Sequence, residues 1–183
     1  DATHPYAYEI SKNIEKAILN LNKQNVKLFK IKREDMNISS SDGVLEFSSN
    51  EDAVKYLLNT RGNILLTTGS KEIADYRELS SRIFPRVLPS VDSINACLSA
   101  GVASKNIIAM QGPFSKELNE AIIKEFDCKY LVSKLSGKSG GFDEKIEAAK
   151  STGCKAIIIL PKIKVTGITV TKCIENIKKY YNK

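Results

Sequence analysis

The chain has 183 residues, 42% of them hydrophobic, enough to bury the core of one ordinary domain and part of another, but short for two complete ones. Its longest apolar runs, such as "AIIIL" from Ala156 to Leu160, fall far below the roughly 20 residues of a membrane-spanning helix, so a soluble, cytoplasmic protein is expected. The net charge of +7, from 28 Lys and Arg against 21 Asp and Glu, attracts anions such as phosphorylated cofactors or polycarboxylates; a nucleic-acid surface is disfavoured by the absence of Trp and by Tyr and Phe at core-like positions.

The first residues, "DATHPYAYEI", include no initiator Met and no signal-like stretch, and read as a cut end. Asp1, Thr3, His4, Pro5 and Tyr6 stand just ahead of a helix, where a strand upstream of the chain would deliver them. Ile10, Ile14, Ala17, Ile18 and Leu21 recur at helical spacing and predict an amphipathic helix over about residues 8–22. "VKLFKI" from Val26 predicts a strand within a basic stretch, and "NISSSDG" a turn into the short alternating strand "VLEF". Asn50 is expected to cap a helix carrying Val54, Leu57 and Leu58, with Glu51 and Asp52 favoured by its dipole and Gly62 ending it.

From Asn63 the alternation becomes regular. "NILLTT" predicts a strand, "GSKEIADYREL" a helix, "RIFPRVLP" a strand, and Ser90 caps a helix through Ile94, Cys97 and Leu98 to Gly101. "NIIAMQG" is the next strand, followed by a helix after Ser115 that buries Leu118, Ile122 and Phe126. "KYLVSK", a helix marked by Phe142, Ile146 and Ala149, "KAIIIL", and a closing helix with Val170, Cys173, Ile174 and Ile177 complete the pattern.

Apolar strands separated by amphipathic helices predict an α/β fold, a doubly wound and mostly parallel five-stranded sheet covered on both faces. Residues 1–50 share the rhythm but hold too few strands for a sheet. They are expected to be the C-terminal part of a preceding Rossmann-like domain, with residues 51–62 a bridging helix and 63–183 the C-terminal α/β domain.

Ligands of open α/β sheets bind beyond the carboxyl ends of the strands, so the strand-tip loops are the candidate site. "TTGSKE" offers hydroxyls at Thr67, Thr68 and Ser70, a close backbone approach at Gly69, and Lys71 at a helix start. That combination suits an anion, although it reads equally as an ordinary serine cap with Lys71 in solvent; the spacing is not that of a P-loop. In "MQGPFSKE", Gly112 and Pro113 force a turn and leave Gln111 at the strand end, where its amide either reads a nicotinamide or pyrrole-type edge or fastens the loop. "KLSGKSGGFDEK", with Lys134, Ser136 and Gly140, either wraps a large anion, closes as a lid or merely connects.

Cys97, Cys128, Cys154 and Cys173 are widely spaced and the chain has a single histidine, so no metal site is expected and the thiols read as free, buried groups of a reducing compartment. No catalytic triad and no glycosidase-like carboxylate pair is recognisable, which leaves hydrolysis without support.

Taken together and in order, "DATHPYA", "LLTTGSKE", "RVLPS", "NIIAMQGPFS" and "KLSGKSGGFDEK" resemble the precorrin-6A reductase family of cobalamin biosynthesis. The resemblance implies two α/β domains with cofactor and macrocycle in the cleft between them, and NADPH-dependent reduction of precorrin-6A, or its cobalt form, to precorrin-6B. It also implies a strand and a Gly-rich phosphate-binding turn upstream of Asp1, so the chain is expected to be truncated at its N-terminus. On this resemblance Thr3, His4 and Tyr6 border the nicotinamide and ribose, with His4 the candidate proton source. Thr68, Gly69, Ser70, Gln111, Gly112, Ser136 and Gly140 contact cofactor or substrate, and Lys71, Arg86 and Lys134 hold the carboxylates that fringe a corrin precursor. The alternatives are another tetrapyrrole-modifying α/β enzyme, such as a methyltransferase, or a non-enzymatic substrate-binding or assembly domain. The oligomeric state is left open.

Overall fold

The apolar runs of the sequence become the strands of one parallel sheet. The computed structural model describes residues 8–20, 26–31, 43–135, 140–161 and 167–181. In chain order the elements are α1 (Tyr8–Asn20), β1 (Val44–Phe47), α2 (Asn50–Leu58), β2 (Asn63–Leu66), a 3-10 stretch (Ser70–Leu79), β3 (Ile83–Val87), α3 (Val91–Ser99), a 3-10 turn (Ser104–Asn106), β4 (Ile108–Ala109), α4 (Lys116–Glu125), β5 (Cys128–Lys134), α5 (Phe142–Thr152), β6 (Lys155–Ile159) and α6 (Val170–Tyr181). They fall into two compact units, residues 1–37 with 161–183, and residues 38–160. This division differs from the boundaries expected at residues 50 and 62: β1 and α2 belong with the sheet, and α6 belongs with the first residues of the chain.

The unit of residues 38–160 holds a six-stranded sheet in the order β1-β6-β5-β2-β3-β4, with every adjacent pair parallel. The sequence predicts five strands here; the sixth is β1, whose Val44 to Phe47 pair in register with Ala156 to Ile159. It covers the edge of β6, the most apolar strand, which would otherwise present unpaired backbone groups. Side chains alternate between the faces. Ile64, Leu66, Tyr130, Val132, Ile157 and Ile159 pack in one cluster with Ala53 and Leu57 of α2, Ile73 and Tyr76 of the 3-10 stretch, and Cys97 of α3. Leu65, Leu131, Ser133 and Ile158 occupy the alternate positions, on the side where α4 and α5 pack together and against β5.

Local signals account for the helix starts. Ser49, one residue before the expected Asn50, caps α2 by accepting from the Asp52 amide at 3.1 Å, and Asn50 instead bonds Asp75 and Tyr76. Ser90 and Ser115 cap α3 and α4 as expected. The segment read as an α-helix after Gly69 is 3-10 in character and breaks at Tyr76, where φ is −99° and ψ 15°.

In the unit of residues 1–37 and 161–183, α1 and α6 accompany a single parallel bridge between Ile31 and Ile168, with an Ile168 amide to Lys30 carbonyl bond of 2.9 Å. Lys30 pairs with Glu15, and Lys27 lies 4.4 Å over the Tyr180 ring. The strand expected over "VKLFKI" is reduced to that bridge among the described residues. No helix among them is long and apolar enough to cross a membrane.

Candidate functional site

The chain winds outward from β2 through β3 to β4, then returns to the other side of β2 for β5 and β6. The direction of winding therefore reverses between β2 and β5, and the loops leaving their carboxyl ends diverge to open a crevice. At that place lies a pocket of about 440 Å³.

Its first wall is the turn after β2. Thr67 is held by two bonds to the Val132 carbonyl, from its amide and its hydroxyl, both 2.8 Å. The next hydroxyl, Thr68 Oγ1, is buried and has no hydrogen-bond partner among the described residues. Gly69 follows with φ of 96°, a conformation that L side chains rarely adopt. Ser70 accepts from Ser93 of α3 at 3.2 Å, and Ser93 in turn accepts from Ser90 at 2.9 Å, so a row of hydroxyls fastens this turn to the start of α3.

The second wall is cationic. Arg86 projects from β3 on the α4 side of the sheet and is 6% exposed. Its Nη1 donates to Asn119 Oδ1 of α4 at 2.8 Å, and its guanidinium lies 4.1 Å over the Phe114 ring, a contact that holds a cation without neutralising it. Lys145, from the first turns of α5, is 8% exposed and donates to Ser133 Oγ at 3.3 Å. Burial, and then the nearby charge of Arg86, bring its ammonium down to about 8; burial alone brings Arg86 down to about 10. Among the described residues neither cation forms an ion pair, although Glu144 pulls weakly against the shift at Lys145. Two buried like charges with only neutral partners are costly unless an anion joins them.

Lys134 differs. It pairs with Glu72 at 2.5 Å, and both residues line the pocket, so its charge is already largely answered by the protein.

Of the residues singled out in the sequence, Thr68, Gly69, Ser70, Lys71, Arg86, Gly112, Lys134 and Gly140 all line this pocket. Gln111 does not line it and is exposed, although its neighbours Met110 and Gly112 do. Thr3, His4, Tyr6 and Ser136 lie outside the described residues. Lys145, Phe114 and Asn119 were not singled out. For Lys145 and Asn119 the signal is a polar residue at an inward helical position: α5 buries Phe142, Lys145, Ala148 and Ala149 in place of the expected Ile146, and α4 buries Asn119 beside Ile122 and Ile123. All four cysteines are buried and free, and burial pushes Cys128 and Cys154 up to about 12, which leaves them inert.

Comparison with known proteins identifies the family. Residues 1–181 match the family model described as precorrin-6x reductase CbiJ/CobK. The chain is 38% identical over 169 residues to a cobalt-precorrin-6A reductase of Priestia megaterium, covering 89% of this chain and 65% of that protein. It is 34% identical over 176 residues to one of Methanothermobacter thermautotrophicus, covering 93% and 56%. A solved structure of a CobK precorrin-6A reductase superposes with a TM-score of 0.75 at 19% identity, over 98% of this chain and 72% of that one, a likeness of fold. The chain thus spans roughly 56 to 65% of the length of these curated relatives. A match along almost its whole length, with the strand-tip segments gathered at one switch point, places the chain in the precorrin-6x reductase family.

Proposed function

We propose that the protein reduces precorrin-6A, or its cobalt form, to precorrin-6B with NADPH, and that the unit of residues 38–160 holds the carboxylates of the tetrapyrrole. The observation that carries this reading is the cationic wall: Arg86 and Lys145 are buried at a pocket on the strand tips and, among the described residues, neither has an ion-pair partner. A ring fringed with carboxylates supplies the missing charge through charge-assisted hydrogen bonds. Lys71, exposed at the same rim, adds longer-range attraction, whereas Lys134 contributes less because Glu72 already pairs with it.

The opposite wall fits the polar edge of a dinucleotide. Thr68 offers a buried hydroxyl with no partner among the described residues, and the space beside Gly69 is open, since a Cβ there would meet nothing within 4 Å among them. Thr68, Gly69, Ser70, Gly112 and Gly140 are the pocket residues that would hold it. NADPH, when bound, supplies the hydride. The residues of this chain fix the ring's orientation, keep water from the apolar side of the pocket with Val87, Phe114 and Met110, and deliver a proton, a role assigned to the imidazole of His4. Alignment of this kind contributes roughly 7 kcal/mol or more to a rate, so no conspicuous catalytic triad is needed.

The test is steady-state turnover of cobalt-precorrin-6A, followed by NADPH absorbance. Arg86→Ala should raise KM for the tetrapyrrole at least about tenfold with little change in KM for NADPH; a wild-type KM for the tetrapyrrole would refute the assignment. His4→Ala should lower turnover by at least about tenfold, and wild-type turnover would remove the proton from His4.

A further inference from the structure

Buried arginines are ordinarily paired with carboxylates. Among the described residues Arg86 has no such pair. It is 6% exposed, and the side chain that accepts from it is the amide of Asn119, itself wholly buried. The amide is used from both ends. Its oxygen accepts from Arg86 Nη1 at 2.8 Å, and its nitrogen donates to the Ser115 carbonyl at 2.7 Å and the Phe114 carbonyl at 3.4 Å. Phe114, whose carbonyl is thus tied down, is also the ring on which the guanidinium rests at 4.1 Å. One side chain therefore fixes the guanidinium and the loop that covers its other face.

We propose that Asn119 is a positioning residue of the binding site: it orients the Arg86 guanidinium and keeps its charge unanswered, so that a carboxylate of the substrate provides the counter-charge. This rests on the reading of Arg86 as a carboxylate anchor. An aspartate at this place would satisfy the same geometry toward Arg86 but would neutralise it, and would set a carboxylate oxygen against two carbonyls. An apolar residue would leave the guanidinium free to turn and one of its donors unpaired. An asparagine avoids both. The same design recurs at Lys145, whose partner is the hydroxyl of Ser133; a second neutral group thus holds a second cation of the wall.

The experiment is a double-mutant cycle on KM for cobalt-precorrin-6A, with unfolding temperatures measured alongside. Asn119→Leu should raise KM roughly tenfold, the loss expected for a misdirected charge-assisted bond, with the larger share of the effect on KM rather than kcat. In an Arg86→Ala background the same substitution should change KM less than about twofold, because its effect passes through Arg86. A merely structural asparagine would lower the unfolding temperature in both backgrounds and leave KM alone. Asn119→Asp provides a variant of nearly unchanged volume, and it should raise KM by neutralising the anchor. The proposal is overturned if folded Asn119→Leu and Asn119→Asp proteins bind the substrate as the wild type does, or if Asn119→Leu raises KM by an equal factor with and without Arg86. Should Arg86→Ala itself leave KM unchanged, the carboxylate reading fails instead, and the two failures are told apart.

Discussion

Lys145 illustrates how a single residue trades stability against binding. Its ordinary value is 10.5 and the fold brings it down to about 8, by burial first and by Arg86 second. Between those values the unfolded chain retains a proton that the folded chain has released, so stability rises with pH across the window. Below about pH 8 the charged amine costs the unliganded fold roughly 3 kcal/mol. Lys145→Met should therefore raise the denaturation midpoint at pH 7, flatten the rise in stability between pH 8 and 10, and weaken tetrapyrrole binding. Urea titrations at the two pH values check this, and a methionine variant less stable at pH 7 would contradict it. Gly62 shows the opposite kind of constraint: its φ is +107°, and an added Cβ would lie 2.5 Å from Lys129 Cγ. Gly62→Ala should cost at least about 1–2 kcal/mol, the penalty of the left-handed backbone before the clash is counted.

At the scale of elements, the serine caps set where α2, α3 and α4 begin. Ser115→Ala should cost about 1 kcal/mol by removing the bond its hydroxyl accepts from the Leu118 amide at 3.3 Å. It should also raise KM for the tetrapyrrole modestly, because Asn119 sits one turn further along the same helix; an equal loss at Ser49→Ala, the cap of α2, without any change in KM would be the matching control. Strands were legible because a parallel sheet buried on both faces needs continuous apolar runs such as "NILL" and "KAIII". The 3-10 stretch after Gly69 was not, since Ile73, Tyr76 and Leu79 repeat every three residues, a spacing that an α-helix would also place on one face. β1 was legible as a strand but not as a neighbour of β6, because pairing across more than a hundred residues leaves no local trace. Arg86 could be suspected as a charge inside a strand. Lys145 and Asn119 stayed hidden, since a polar residue on an inward helical position reads as an imperfection of the apolar stripe until its partners are seen.

For the molecule as a whole, the fold opens a pocket where the order of strands reverses, with the turn after β2 as one wall and Arg86 of β3 with Lys145 of α5 as the other. One carries hydroxyls and a glycine; the other carries two buried cations held by neutral groups. On the proposed reading, the net charge of +7 would strengthen the attraction of a polyanionic ring at long range, and the selectivity is assigned to Arg86 and Lys145. Calorimetric titration of cobalt-precorrin-6A into the wild-type protein and into the Arg86→Ala, Lys145→Met double variant tests this most directly. Loss of two charge-assisted contacts should weaken binding by at least about a hundredfold in a protein that remains folded. Undiminished affinity in the double variant would contradict the account.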